Sequence, residues 1–292
     1  MGDKMIIYQN GQYLDEEKVM ISPFDHGFLY GIGLFETLRL YDGHAFLLDD
    51  HIERLQQGLR EMFIEVTIQK EEMKQILLQL LMKNDLKHAR VRINVSAGVG
   101  VVGLPNQPYR EPNIMVFISP LQEPLDTLQE KSAVLLQVAR NTPETSVRLK
   151  SHHYGNNIAA KMELKNYPEA EGIFLTKEGY VSEAITSNVF LVKRDVLYTP
   201  HICTGILPGI TRRLIIRMAE KIGLQVQEGY YRVEELEQAD EVFITNSIQE
   251  IVAVNELVGK ARYQGATGSV TNQLFSMYKE YRNQLETSQT LR

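Results

Sequence analysis

Strand-like and helix-like segments are mixed on both sides of a proline-bounded break, Pro120-Leu121-Gln122-Glu123-Pro124, and this mixture limits the folds open to the chain. A doubly wound parallel sheet needs strands and helices in regular alternation. Here they follow one another irregularly, so the pattern predicts an α+β protein. A chain of 292 residues is also long for one core. The break therefore reads as a linker over 121–130, between an N-terminal domain of 1–120 and a C-terminal domain of 131–292.

In the first part, 5–9 and 12–20 read as strands joined at an Asn10-Gly11 hairpin turn. A glycine-rich stretch from Ser22 to Gly33 leads into a strand over 34–41, closed by the turn pair Asp42-Gly43. Ile52, Leu55, Leu59 and Met62 keep helical spacing, as do Met73, Ile76, Leu77, Leu80 and Leu81. Strands are expected at 89–96 and 113–119. In the second part they are expected at 132–139, 171–176, 180–184, 187–193, 224–229 and 241–246. Helices are expected over 208–222 and along Val270, Leu274, Tyr278 and Tyr281.

Composition excludes some classes of function. A 43% apolar and 23% charged chain is ordinary for a globular protein, and a formal charge of −6 argues against broad binding to nucleic acid or anionic membrane. The single cysteine, Cys203, rules out an internal disulfide framework and fits a reducing compartment. It reads as a small buried hydrophobe rather than a nucleophile. No apolar run reaches membrane-spanning length and no signal-peptide pattern opens the chain, so a cytoplasmic location is expected.

The residues that carry chemistry are scattered. Lys150 stands in Arg148-Leu149-Lys150-Ser151-His152-His153-Tyr154, Glu183 in Val181-Ser182-Glu183, and Arg54 in His51-Ile52-Glu53-Arg54-Leu55. Gly209-Ile210-Thr211 opens a helix. Each alone is ordinary: a solvated lysine, a strand carboxylate, a polar-face arginine, a helix start. Together they are the parts that hold pyridoxal phosphate. A lysine makes the Schiff base, a carboxylate pairs with the ring nitrogen, and an arginine and backbone N–H groups receive the phosphate. Gly31-Ile32-Gly33 is not a dinucleotide loop, because Glu36 stands where the third glycine belongs and a strand follows. Close packing accounts for it better. His152-His153 lack companions at ligand spacing, so no metal is expected and a hydrogen-bonding or pocket-shaping role is favoured. A histidine there could also tune the neighbouring amine.

The order of these motifs resembles the class-IV aminotransferases, pyridoxal-phosphate enzymes of the D-amino-acid and branched-chain aminotransferase fold. The resemblance runs from the Asn-Gly hairpin through Gly31-Ile32-Gly33-Leu34-Phe35-Glu36 and Ser187-Asn188-Val189-Phe190 to Asp240-Glu241-Val242-Phe243-Ile244-Thr245-Asn246-Ser247. It implies a small N-terminal α/β sandwich-like domain, a larger C-terminal pseudo-barrel domain and a homodimer. Residue by residue, it implies that Lys150 is the Schiff-base lysine, Glu183 faces the pyridine nitrogen and Arg54 binds the phosphate. Ile210 and Thr211 match the phosphate-holding helix start, and Asn246 and Ser247 a second phosphate-side loop.

Within the family, Arg140 to Tyr154 and Ser22-Pro23-Phe24-Asp25-His26-Gly27 look like the 4-amino-4-deoxychorismate lyases of Gram-positive bacteria, which form 4-aminobenzoate and pyruvate in folate synthesis. Two departures disturb the transaminase patterns: Ser-His-His-Tyr follows Lys150, and Ala97 precedes Gly98. A substrate with two carboxylates needs cationic partners, for which Arg148, Arg92, Arg39 and Arg140 are the candidates, Arg148 first for its closeness to Lys150. Thr37 is a candidate for proton handling. The segment from Gly98 to Pro112, rich in Gly, Pro and Asn, is expected to be flexible and to close over a site. The alternatives are a transaminase for D- or branched-chain amino acids, and a binding protein that has lost catalysis.

Overall fold

The computed structural model describes residues 4–291. It contains two compact units, one formed by the chain up to Pro124 with Leu149–His153 and Arg282–Thr287, the other by Leu125–Arg148, Tyr154–Tyr281 and the residues from Ser288.

The first unit contains β1 (Ile6–Gln9), β2 (Gln12–Asp15), α1 (His26–Tyr30), β3 (Gly33–Tyr41), β4 (His44–Ala45), α2 (Leu48–Glu61), α3 (Lys70–Lys83), β5 (Ala89–Ser96) and β6 (Asn113–Pro120). The strands form a six-stranded sheet in the order β2-β1-β6-β5-β3-β4. Asn10 and Gly11 both take positive φ, which is what a tight Asn-Gly hairpin requires. Alternation along the central strands separates two faces. Leu34, Leu38 and Leu40 of β3 and Val91, Ile93 and Val95 of β5 point to one side, where they pack with Ile52, Leu55 and Leu59 of α2 and Met73, Leu77 and Leu80 of α3. The other face carries Phe35 opposite Asn94 and Thr37 opposite Arg92.

The second unit contains β7 (Gln129–Leu135), α4 (Gly155–Glu163), β8 (Glu171–Leu175), β9 (Val181–Ala184), β10 (Asn188–Lys193), β11 (Val196–Pro200), α5 (Ile210–Lys221), β12 (Gln225–Gly229), α6 (Val233–Glu237), β13 (Glu241–Asn246), β14 (Glu250–Leu257), β15 (Ala261–Arg262) and α7 (Ser269–Tyr281). They build a nine-stranded mixed sheet, β12-β11-β10-β13-β14-β7-β8-β9, with β15 on β14. The α+β class is as expected.

Several boundaries differ from expectation. β7 starts at Gln129, inside the expected linker, because its polar first half pairs with β14, Val252 opposite Gln129; it stops at Leu135, the last residue it pairs with β8. Lys150, expected in the C-terminal domain, belongs with Leu149–His153 to the first unit. That segment lies antiparallel beside β3: Leu34 bridges Ser151, Phe35 N donates to Lys150 O at 2.9 Å, and His152 N donates to Gly33 O at 3.0 Å. The 98–112 segment is tied down rather than loose. His26 N donates to Gly98 O, Gly103 N to the Tyr30 hydroxyl at 2.7 Å, and His26 Nε2 to Val101 O at 2.9 Å, while the Tyr109 hydroxyl sits 2.9 Å from His26 Nδ1. No helix among the described residues is long and apolar enough to cross a membrane.

Candidate active site

In the first unit the polar face of β3 and β5 gathers a compact group around one aromatic ring. Lys150 Nζ lies 4.8 Å from the centroid of Phe35, and the Arg92 guanidinium carbon lies 3.5 Å from the same centroid. The His152 ring stacks on Phe35 at 6.4 Å and 28°. Nε and Nη2 of Arg92 both donate to Asn94 Oδ1, at 3.3 and 3.2 Å, and His152 Nε2 donates to the same oxygen at 3.0 Å. Burial first, and Arg92 beside it, hold the His152 imidazole down to about 4, so it is neutral at physiological pH.

The glycines of Gly31-Ile32-Gly33 admit the two histidines. A Cβ on Gly33 would lie 2.3 Å from His152 Cε1 and 2.8 Å from Val95 O; one on Gly31 would lie 2.8 Å from His153 Cδ2. Close packing is therefore the role of this motif.

On the opposite, core face Glu36 interrupts the apolar alternation of β3 and is almost fully buried. Arg54 of α2 grips it bidentately, Nε to Oε1 at 2.8 Å and Nη2 to Oε2 at 2.7 Å, and His51 Nδ1 donates to Oε2 at 2.7 Å. Burial works to raise the Glu36 carboxyl, but Arg54 and His51 outweigh it and hold it down to about 2. The buried His51 ring is pushed down, mainly by desolvation. Arg54 thus stands with its guanidinium set by a buried carboxylate, an arrangement suited to presenting a fixed cation.

In the second unit Glu183 of β9 is buried, pairs with Arg140 at 2.8 Å, and accepts from Leu207 N at 2.9 Å. Arg140 also donates to Asn156 Oδ1 at 2.8 Å. Arg148 donates to the carbonyls of Gly205 and Asn141, with its Nε 3.7 Å from Glu183. Burial and the neighbouring Arg140 bring Arg148 down to about 10, still charged at neutral pH. α5 begins at Ile210 after the N-cap Gly209, with no side-chain cap and no acidic residue in its first turn. Its N–H groups and dipole are thereby offered to an anion. Gly209 is required here: a Cβ would lie 2.0 Å from Asn188 Oδ1, whose amide nitrogen holds Leu207 O at 2.9 Å. Thr211 is buried in the first turn. Asn246 Oδ1 accepts from Ile248 N and Gln249 N, fixing the turn that contains Ser247, and its Nδ2 donates to Ser187 Oγ. Among the described residues, buried Thr245 Oγ1 has no protein partner.

The sequence pattern of class IV amino-transferases matches residues 33–257. The chain belongs to that family. It is 48% identical over 277 residues to an aminodeoxychorismate lyase of Bacillus subtilis, 94% of each chain being covered. It is 36% identical over 279 residues to a putative branched-chain-amino-acid aminotransferase of Methanocaldococcus jannaschii, covering 95% of this chain and 96% of the other. A branched-chain aminotransferase from the thermophilic archaeon Thermoproteus uzoniensis, solved with norvaline, superposes with a TM-score of 0.86 at 26% identity, over 95% of this chain and 94% of that one.

Within this class IV chain the expected arginines separate by their surroundings. Arg92 stands against the same ring as Lys150, with Thr37 opposite it in the β3–β5 register. Arg140 is taken up by Glu183, Arg148 by loop carbonyls, and Arg39 by Gln122 O at 2.7 Å and the Tyr41 ring. Phe35, Glu36, His51 and Asn94 were not expected. One signal was available: a glutamate in the apolar register Leu34, Glu36, Leu38 requires a buried cationic partner, and the next helix supplies arginine and histidine. No grouping of His, Cys, Asp and Glu among the described residues could hold a metal ion.

Proposed function

We propose that this class IV enzyme is an aminodeoxychorismate lyase, converting 4-amino-4-deoxychorismate to 4-aminobenzoate and pyruvate in folate synthesis. The observation that carries the reading is the 48% identity, along 94% of both chains, with an aminodeoxychorismate lyase. The enzyme is pyridoxal-phosphate dependent, and its residues fit that group. The uncapped start of α5 with Ile210 and Thr211, the turn of Asn246 and Ser247, and Arg54 would hold the phosphate. Glu183 would meet the ring nitrogen and Lys150 the aldehyde carbon.

When bound, the cofactor supplies an electron sink for charge developing on the substrate carbon that bears the amine. The chain supplies the proton chemistry. Lys150 Nζ takes the proton from that ring carbon, and the ring's bond to the enolpyruvyl oxygen breaks. The ring becomes aromatic, and the released enol takes up a proton to become pyruvate. Arg140 holds the Glu183 carboxylate in place from within the second unit, and Leu207 N fixes its other oxygen. Arg92 is the first candidate to receive a substrate carboxylate, since it shares the Phe35 ring with Lys150, and Thr37 opposite it is a candidate for proton handling. The enzyme works as a cytoplasmic homodimer; the family resemblance and the exposed apolar side chains Val99, Val101, Val102 and Leu104 support the dimer.

The test supplies purified protein with pyridoxal phosphate and aminodeoxychorismate and follows both products, with Lys150→Ala as control. Equimolar 4-aminobenzoate and pyruvate, absent in the variant, are expected. Glutamate formed from 2-oxoglutarate with D-alanine or L-leucine, without 4-aminobenzoate, would assign the chain to the transaminases instead.

A further inference from the structure

We infer that Asn94 and His152 are positioning residues, which act through Arg92 to fix the cation that receives a substrate carboxylate beside Lys150. The assignment of a carboxylate substrate rests on the function proposed above; the network itself does not. Asn94 Oδ1 is the shared acceptor. It takes Nε–H and Nη2–H from Arg92 on one side and Nε2–H from His152 on the other. Asn94 is buried, so the amide has little freedom to turn away. Arg92 is thereby pinned along its Nε–Nη2 edge, with its guanidinium carbon 3.5 Å from the centroid of Phe35. The Nη1–Nη2 edge is the one whose fork matches a carboxylate.

His152 closes the arrangement. Its backbone is fastened to Gly33 O, its ring rests where a Cβ of residue 33 would be, and it stacks on Phe35. Its neutral ring also leaves Arg92 as the fixed cation of the cluster, where an imidazolium would add a competing one. The neighbouring titratable groups are Lys150 on the same ring, with Arg92, Asp25 and His153 acting on His152. An arginine left free to rotate loses side-chain entropy when it captures a carboxylate; this one has lost much of it already. The serine-histidine-histidine run after Lys150 thus has a defined task through its first histidine.

The experiment measures dissociation constants of 4-aminobenzoate and pyruvate for the holoenzyme by calorimetry, with aniline as the carboxylate-free partner of 4-aminobenzoate. The set is wild type, Arg92→Ala, Asn94→Ala, Asn94→Asp, His152→Ala, His152→Gln and the double variant Arg92→Ala/Asn94→Ala. Arg92→Ala is expected to weaken a carboxylate product by roughly tenfold or more, and Asn94→Ala and His152→Ala by about three- to tenfold, with aniline unaffected. Asn94→Asp, which keeps the acceptor, and His152→Gln, which keeps a donor, should recover most of the loss. The double variant should be no weaker than Arg92→Ala alone, because residues acting through one group are not additive. In turnover the losses should fall on KM more than kcat.

Additive losses, equal losses for aniline, or no effect of Arg92→Ala would each overturn the assignment. If the wild type releases no 4-aminobenzoate from aminodeoxychorismate, the lyase reading has failed; the same series with 2-oxoglutarate then decides the positioning role on its own.

Discussion

Replacing Glu36 with glutamine should destabilise the first unit more than any single surface change. The glutamine keeps the shape, and its amide oxygen still accepts one hydrogen bond, but the charge that balances Arg54 is gone. Two routes set the size. A carboxyl that ordinarily titrates near 4.5 and is held at about 2 gains about 3 kcal/mol in its ionised form. Removing one member of a buried ion pair costs about 3–5 kcal/mol, and the 16% exposure of the Arg54 side chain places this pair at the lower end. With the residual hydrogen bond, a loss of about 2–3 kcal/mol is expected, or roughly 5–10 °C in Tm. Urea unfolding of wild type, Glu36→Gln, Arg54→Met and the double variant at pH 7.5 measures it. The double variant should recover about 2 kcal/mol relative to the sum of the singles, since it leaves no unpaired cation. A folded carboxyl value below the ordinary one stabilises above pH 4.5, and the contribution is lost as pH falls towards 2. A Glu36→Gln protein within about 0.5 kcal/mol of wild type, or strictly additive singles, would refute the reasoning.

Other outcomes follow from the same geometry. Gly33→Ala should cost about 2–3 kcal/mol, because the new methyl meets the Val95 carbonyl as well as the His152 ring, and a sheet carbonyl has nowhere to go; a near-neutral melting curve would show that β3 yields more easily than its pairing implies. His152, ordinarily near 6.5 and held at about 4, should contribute full stability above pH 6.5 and lose about 2 kcal/mol as pH falls to 4, after allowance for its partial exposure. His152→Gln should flatten that part of the stability–pH curve, and an unchanged slope would point to another group.

Much of the chain could be read from local signals. The hairpin at Asn10-Gly11, the strand at 89–96 and the helical faces of α2, α3 and α5 were legible because turn chemistry and periodicity are properties of neighbouring residues. β14, in the interior of the larger sheet, escaped notice. Ser247-Ile248-Gln249 joins it to β13 without Gly or Pro, and Asn246 makes that turn with its side chain instead. α1 escaped because five residues inside a glycine-rich stretch show no period; it is held by Asp25, which accepts from Gly27 N, and ended by Gly31 at positive φ.

By itself, the sequence determined the mixed class of the fold, the order of the family's motifs, and the identity of Lys150, Glu183, Arg54 and Thr211 as site candidates. Only the tertiary structure decided what each charged side chain faces. It turned Arg54 onto Glu36, gave Arg140 to Glu183 and Arg148 to loop carbonyls, and set Arg92 against the ring that Lys150 shares. The physical reason is range. Periodicity and turn residues act over a few positions along the chain, whereas the partner of a buried charge is supplied by whichever strand or helix packs against it.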